Sequence, residues 1–110
     1  SAGRKLAEHM GMEPQEFLTR YVGMSAASLR RRVKSLQPLS MGESERVIRY
    51  ANLLALATKL MSGSEQAACA WLSSPAYALG GATPLETAIT EVGARRVEDI
   101  IVSLEHGMFS

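Results

Sequence analysis

Apolar positions along the chain recur at helical spacing, and no stretch alternates with period two over a useful length, so the pattern predicts helices throughout. Residues 4–10 read as a short helix ending near Gly11. Pro14 suits the first turn of a second helix, where its missing N–H costs nothing; that helix buries Phe17, Leu18 and Tyr21. Gly23 breaks it. Ser25 caps a third helix whose Leu29, Val33 and Leu36 are four and three apart. Gln37-Pro38 ends that helix, because the residue before proline avoids the helical region. Ser40-Met41-Gly42-Glu43 reads as a capping box at the head of a long helix over 41–61. It starts amphipathic, with Val47, Ile48, Ala51, Leu54 and Ala55 on one side and Arg46 and Arg49 outside that stripe. From Ala51 to Ala57 only Asn52 is polar, so this segment is expected to be buried on all sides as the central post of the fold.

Ser62-Gly63-Ser64 breaks the post, and residues 65–72 form the next helix, with Ala68, Trp71 and Leu72 facing in. Trp71 is expected to pack against Val97, Ile101 and the post. Ser73-Ser74-Pro75 ends this helix, and residues 76–82 form an ordered loop with two glycines. Thr83-Pro84-Leu85-Glu86 is a second capping box, with proline at the first helical position, heading a short helix to about Ile89. Thr90 caps the last helix, which carries Val97, Ile100, Ile101 and Leu104 at i, i+3, i+4 and i+7. Gly107 fits as its stop, leaving Met108-Phe109-Ser110 as an apolar tail.

Composition adds limits. A chain of 110 residues, 46% hydrophobic and 21% charged, is a globular domain, or two very small ones sharing a core. With aromatics at 5%, that core is built from Leu, Ala, Ile, Val and six Met. No apolar run is long enough to span a membrane and no charged-then-apolar leader opens the chain, so a cytoplasmic setting is expected, in keeping with the single Cys69. The opening Ser1-Ala2-Gly3, lacking Met, reads as an expression remnant or a truncated start. The net charge of +1 hides a division: residues 1–62 carry ten Lys/Arg against five Asp/Glu, and residues 63–110 carry two against six. Opposite charge on the two halves suggests surfaces for different partners.

An enzyme is not expected. Gly80-Gly81 lacks the lysine and spacing of a phosphate loop, and His9, His106 and Cys69 supply neither a zinc set nor a nucleophilic triad. No cofactor is called for, and Cys69 on an Ala-rich helix reads as a small buried hydrophobe. Pro14 to Lys34 is more informative: helix, glycine turn, basic second helix, the arrangement of a helix-turn-helix whose second helix enters the DNA major groove. Leu18, Val22, Met24 and Leu29 fall where the two helices must pack, although Thr19 stands where the motif usually has an alanine-like residue. The candidate DNA contacts are Arg20, Ser25, Ser28, Arg30, Arg31 and Lys34, with Arg32 in the same basic run. Arg30 and Lys34 share a face, and Arg31 lies about 100° round from Arg30. The competing reading is a structural three-helix unit with a solvated basic face.

The second half is more specific. Ala70-Trp71-Leu72, Ser74-Pro75, Ala78-Leu79-Gly80-Gly81, Thr83-Pro84-Leu85-Glu86, Thr90, Gly93-Ala94, Val97-Glu98 and Glu105-His106-Gly107 stand in an order that resembles the C-terminal toxin-binding domain of the Xre/MbcA/ParS antitoxins. Ser28-Leu29-Arg30-Arg31 and Ser44-Glu45-Arg46 resemble the Xre-like half of that family, and the resemblance covers roughly residues 12–110. It implies an all-α protein with a helix-turn-helix-like part over 1–61 and a toxin-binding part over 62–110, connected by the long helix. It further implies an antitoxin whose partner is a RES-domain toxin that degrades NAD or uses it for ADP-ribosyl transfer, neutralised when the antitoxin's end occludes the NAD pocket. The resemblance also implies self-association, as a homodimer within a toxin–antitoxin hetero-oligomer; repression of its own operon is a hypothesis drawn from the basic helix, on Arg20 and residues 30–34.

On that reading the candidate toxin contacts are Tyr77, Arg95, Glu98, Glu105, His106, Gly107, Met108, Phe109 and Ser110. Met108 and Phe109 suit an apolar pocket, and the Ser110 carboxylate suits arginines that otherwise hold a phosphate. Glu91 and Asp99 join Glu98 and Glu105 as an acidic face, with Arg95 and Arg96 paired to a partner's rim or to Glu91 and Asp99. The alternative is a helix-turn-helix transcriptional regulator whose C-terminal half dimerises or senses a ligand.

Overall fold

The computed structural model describes residues 2–35 and 38–109. The expectations for Leu36, Gln37 and Ser110, and for the side chains of Val33, Lys34, Met108 and Phe109, lie outside the described residues. All regular structure among the described residues is helical: α1 (Ala2–His9), α2 (Pro14–Arg20), α3 (Ala26–Ser35), α4 (Met41–Leu60), α5 (Glu65–Leu72), a 3-10 turn (Tyr77–Leu79), α6 (Pro84–Thr87) and α7 (Glu91–Phe109). The chain divides into two compact units, Ser1–Ile48 and Arg49–Ser110, so α4 contributes residues to both.

In the first unit, α1 buries Gly3, Leu6 and Ala7, and Met10 follows on the same helical stripe. It packs on α2, so closely that a Cβ on Gly3 would lie 2.8 Å from Leu18 Cδ2. The cap of α2 is Glu13, whose carboxylate accepts the Glu16 N–H at 3.1 Å, with Pro14 at the first helical position. Phe17, Leu18, Tyr21, Val22, Met24 and Leu29 are all buried, as the packing of two helices around Gly23 demands. Gly23 takes φ +85°, a left-handed conformation that favours glycine, and the turn closes with Met24 N–H on Leu18 O at 3.0 Å. Thr19 is accommodated because its hydroxyl donates to Gln15 O at 2.8 Å. Ser25 Oγ accepts the Ser28 N–H at the head of α3. At the head of α4, Ser40 and Glu43 form the expected reciprocal box, at 2.8 and 3.2 Å.

The face that α4 buries differs from the expectation. Val47, Tyr50, Leu53, Leu54, Ala57 and Leu60 are buried, whereas Ile48, Ala51, Asn52 and Ala55 are exposed, so α4 is one-sided and not a post buried all round. Alanine carries too little apolar area to dictate a face, and the larger Tyr50, Leu53 and Leu54 set it.

In the second unit, the Tyr50 hydroxyl donates to Leu85 O at 3.0 Å, and Arg49 Nη1 donates to Ile89 O at 2.8 Å and Ala88 O at 3.3 Å. These arginine bonds satisfy carbonyls at the C-terminal end of α6 that have no helical partner. Ser64 caps α5, which buries Ala68 and Leu72; Trp71, expected to face in, is half-buried, and so is Cys69. The 76–82 loop is ordered by Ala76 N–H on Ala82 O and Gly81 N–H on Ala76 O, both 3.0 Å. Thr83 and Glu86 complete their capping box, and Thr90 Oγ1 caps α7 by accepting the Gly93 N–H at 3.0 Å. Along α7, Ala94, Val97 and Ile101 are buried, Ile100 is half-buried and Leu104 is exposed, so the expected core stripe ends one turn early.

Gly107 does not stop α7. The helix continues to Phe109, so Met108 and Phe109 extend it and do not form a separate tail. Glycine inside a helix costs only about 1 kcal/mol against alanine, and here its φ is not left-handed, so the Gly107 signal is overridden.

Candidate partner-binding surfaces

The structure sorts the cations of the first half into clamps and surface groups. Arg20 sits 3.7 Å from Glu16 and 5.2 Å from the centroid of the Tyr21 ring, so this candidate DNA contact is held on α2. Arg32 pairs with Glu43, tying α3 to the capping box of α4. Arg46 donates to Val22 O at 3.0 Å beside the Gly23 turn. Arg30 and Arg31 are exposed on α3 and line a cleft of about 610 Å³ together with Arg4 of α1. Ser25 is exposed and Ser28 half-buried, the two engaged as helix cap and capped amide.

Glu43 is the buried carboxylate in this arrangement. Burial by itself pushes its pKa up, but hydrogen bonds from the Ser40 amide, Arg32 and the Ser40 hydroxyl, with the Arg32 charge, hold it below the ordinary value. A carboxyl that titrates lower in the folded state stabilises fully above the unfolded value, near about 4.3, and loses that contribution as pH falls through the folded value. Glu43→Gln is therefore expected to cost about 2 kcal/mol at neutral pH and to flatten the acid limb of the pH–stability curve. Urea unfolding across pH, followed by helical circular dichroism, reads both; an acid limb unchanged from wild type would remove Glu43 from this role.

In the second unit, Tyr77 is fully exposed (101%) at the start of the 3-10 turn, and its loop is pinned by Arg96 Nη2 on Ala78 O at 2.7 Å. Along α7, Arg95, Asp99, His106 and Gly107 are exposed, and Glu98 and Glu105 are half-buried. Glu105 lies 3.4 Å from Lys59, and Glu91 lies 3.5 Å from Arg95, so two of the acidic groups already have partners within the chain. Val92 is 81% exposed, the largest exposure of an aliphatic side chain on α7 among the described residues. A Cβ on Gly107 would meet nothing within 4 Å, which leaves that side of the last turn open. Burial, reinforced by Glu65, pushes the Cys69 thiol up and away from thiolate chemistry. Among the described residues no group of His, Cys, Asp and Glu is arranged to hold a metal, and no helix is long and apolar enough to cross a membrane.

Residues 56–107, from the end of α4 through most of α7, match the profile described as the Antitoxin Xre/MbcA/ParS C-terminal toxin-binding domain. Antitoxin Xre of Yersinia enterocolitica is 36% identical over 97 residues, spanning 88% of this chain and 66% of that protein. The chain belongs to the Xre/MbcA/ParS antitoxin family. Antitoxin Xre of Photorhabdus laumondii is 31% identical over 93 residues, and Antitoxin Xre of Pseudomonas putida 32% over 80. The chain spans 63% and 50% of those two proteins, so it corresponds to about half to two thirds of these Xre relatives.

Within this Xre/MbcA/ParS chain, sequence reasoning missed four arginine roles. Arg32 read as part of the basic run, Arg46 and Arg49 as lying outside the apolar stripe, and Arg96 as paired to a partner's rim or to an acid of its own helix, yet each holds a carboxylate or carbonyls of another element. The faint signal for Arg46 and Arg49 was their place outside the apolar stripe of a helix otherwise turning apolar, where a guanidinium has five donors to satisfy. Arg4 was missed for a different reason: α1 precedes the two-helix motif, and only tertiary packing brings it beside α3.

Proposed function

We propose that this chain is an antitoxin that neutralises a RES-domain toxin by covering the toxin's NAD-binding cleft with the C-terminal part of α7. The observation that carries the reading is the match of residues 56–107 to a toxin-binding domain, together with the exposure of His106 and Gly107 near the end of α7. No chemistry is required of the antitoxin: His106, Gly107, Met108 and Phe109 enter the cleft as a helical plug, Glu105 stays with Lys59 at its base, and Tyr77, Arg95 and Glu98 make the surrounding contacts. An exposed aromatic on a pinned loop suits an interface anchor, because the backbone is already ordered and tyrosine has only two side-chain torsions to fix on docking.

The test is co-expression with the product of the neighbouring open reading frame, following growth and cellular NAD. A version ending at Gly107 is expected to protect at least about tenfold less well than the longer chain, the loss that follows when one anchor is removed. Equal protection by both versions would move neutralisation to the Tyr77 and α7 surfaces. A neighbour that leaves NAD and growth untouched would remove the RES-toxin reading.

A second reading, repression of its own operon through DNA, is favoured by one observation: α2, the Gly23 turn and α3 pack together and leave Arg30 and Arg31 exposed on the second helix. The two activities use different units and are compatible in one chain.

A further inference from the structure

We propose that the cleft lined by Arg4, Arg30 and Arg31 is a phosphate-diester site, and that α1, outside the two-helix motif, thereby supplies a DNA-backbone contact. The proposal rests on the DNA-binding reading and extends it to a residue that the motif does not contain.

Three observations carry it. First, the cleft draws its cations from two elements far apart in sequence: Arg4 on the first turn of α1, and Arg30 and Arg31 on α3. Guanidinium groups match phosphate oxygens with paired, parallel N–H donors, and three of them converge on a space of about 610 Å³. Second, the balance of the lining favours an anion. Glu13 is the carboxylate on the wall, and its Oε2 already accepts the Glu16 N–H at 3.1 Å; Gln15 adds a neutral amide, and Leu29 an apolar floor that strengthens charge attraction above it. Third, both helices that carry the cleft's arginines are fixed against the same element of the two-helix motif: α1 packs on α2, and α2 packs on α3. A helix lying in a DNA groove sets its flanking groups against the sugar–phosphate walls, and the Arg4 side of α3 is where this fold gathers positive charge for such a wall. A free acidic peptide would satisfy the same charge, but DNA is favoured because two of the three arginines lie on α3, the second helix of the turn-linked pair.

The experiment is a salt series of fluorescence anisotropy titrations, using the full-length gene product and a labelled duplex taken from upstream of its own gene. Arg4→Ala and Arg30→Ala are each expected to weaken binding on the order of tenfold and to reduce the salt slope by about one, since each removes a phosphate contact. Lys5→Ala, which removes an exposed cation next door on α1 but outside the cleft, is expected to change affinity less than about twofold. Arg4→Gln is expected to match Arg4→Ala, with the helical circular dichroism melt unchanged in both. If Arg30→Ala weakens binding while Arg4→Ala behaves like Lys5→Ala, the cleft proposal falls and the DNA reading stands. Absence of salt-dependent binding by the unmodified protein would overturn the DNA reading and the cleft with it. Loss of toxin capture by Arg4→Ala, with DNA binding intact, would reassign the cleft to an acidic protein surface.

Discussion

Replacing Gly93 by alanine is expected to destabilise the second unit strongly. An alanine Cβ there would sit 1.7 Å from the Thr87 carbonyl oxygen, 2.8 Å from its carbon and 3.0 Å from Thr90 Oγ1. The first two are backbone atoms, so no rotamer change relieves the clash; α6 and α7 would have to separate, and Thr90 would lose its capping position over the Gly93 amide. Forcing atoms into a packed interior commonly costs about 1–3 kcal/mol, and a backbone collision this close lies at or beyond the upper end. Against a domain stability of about 5–15 kcal/mol, a loss of about 3 kcal/mol removes roughly a fifth to three fifths of the margin and lowers the melting temperature by several degrees or more. Gly107→Ala is the matched control, because its Cβ meets nothing within 4 Å inside the same helix. It is expected to be neutral or to gain about 0.5–1 kcal/mol from the better helix former. Thermal melts of the two variants settle the comparison, and an unshifted Gly93→Ala melt would refute the close approach of α6 and α7.

Tyr50→Ala is expected to be the most costly side-chain deletion. Tyr50 is fully buried (0%), the largest such side chain among the described residues, and its hydroxyl donates to Leu85 O. Emptying an aromatic site costs about 3–5 kcal/mol through lost transfer energy and the cavity left behind. Tyr50→Phe keeps the ring and strands the Leu85 carbonyl, for a cost of about 1–2 kcal/mol. Urea unfolding midpoints are expected to fall in the order wild type, Phe, Ala. Equal losses for Phe and Ala would place the energy in the hydrogen bond and not in the ring.

Both sites show where the sequence could and could not be read. Thr83 with Glu86, and Ser40 with Glu43, form capping boxes because both partners lie within one turn, so four consecutive residues contain the whole interaction. The Gly23 turn and the burial of Leu18, Val22, Met24 and Leu29 were legible for the same local reason. Gly93 carried no such mark: nothing in its neighbours reveals that the Thr87 backbone approaches it. Gly107 carried a misleading one, because a glycine near a helix end is compatible both with a stop and with continuation. On the candidate surfaces, Arg30, Arg31 and Tyr77 were recognisable as exposed, whereas Glu105 gave no sign of its partner Lys59, which is distant in the chain.

The sequence by itself determined the all-α class, the helix starts, the turn between α2 and α3, and the family, because each rests on short-range patterning or on residues held in order. Tertiary structure alone decided which face of α4 is buried, which arginines are clamps, and that Arg4 joins Arg30 and Arg31. Those outcomes depend on which carbonyls and carboxylates from remote segments arrive within hydrogen-bonding distance, and a one-dimensional pattern contains helical periodicity but not those arrivals.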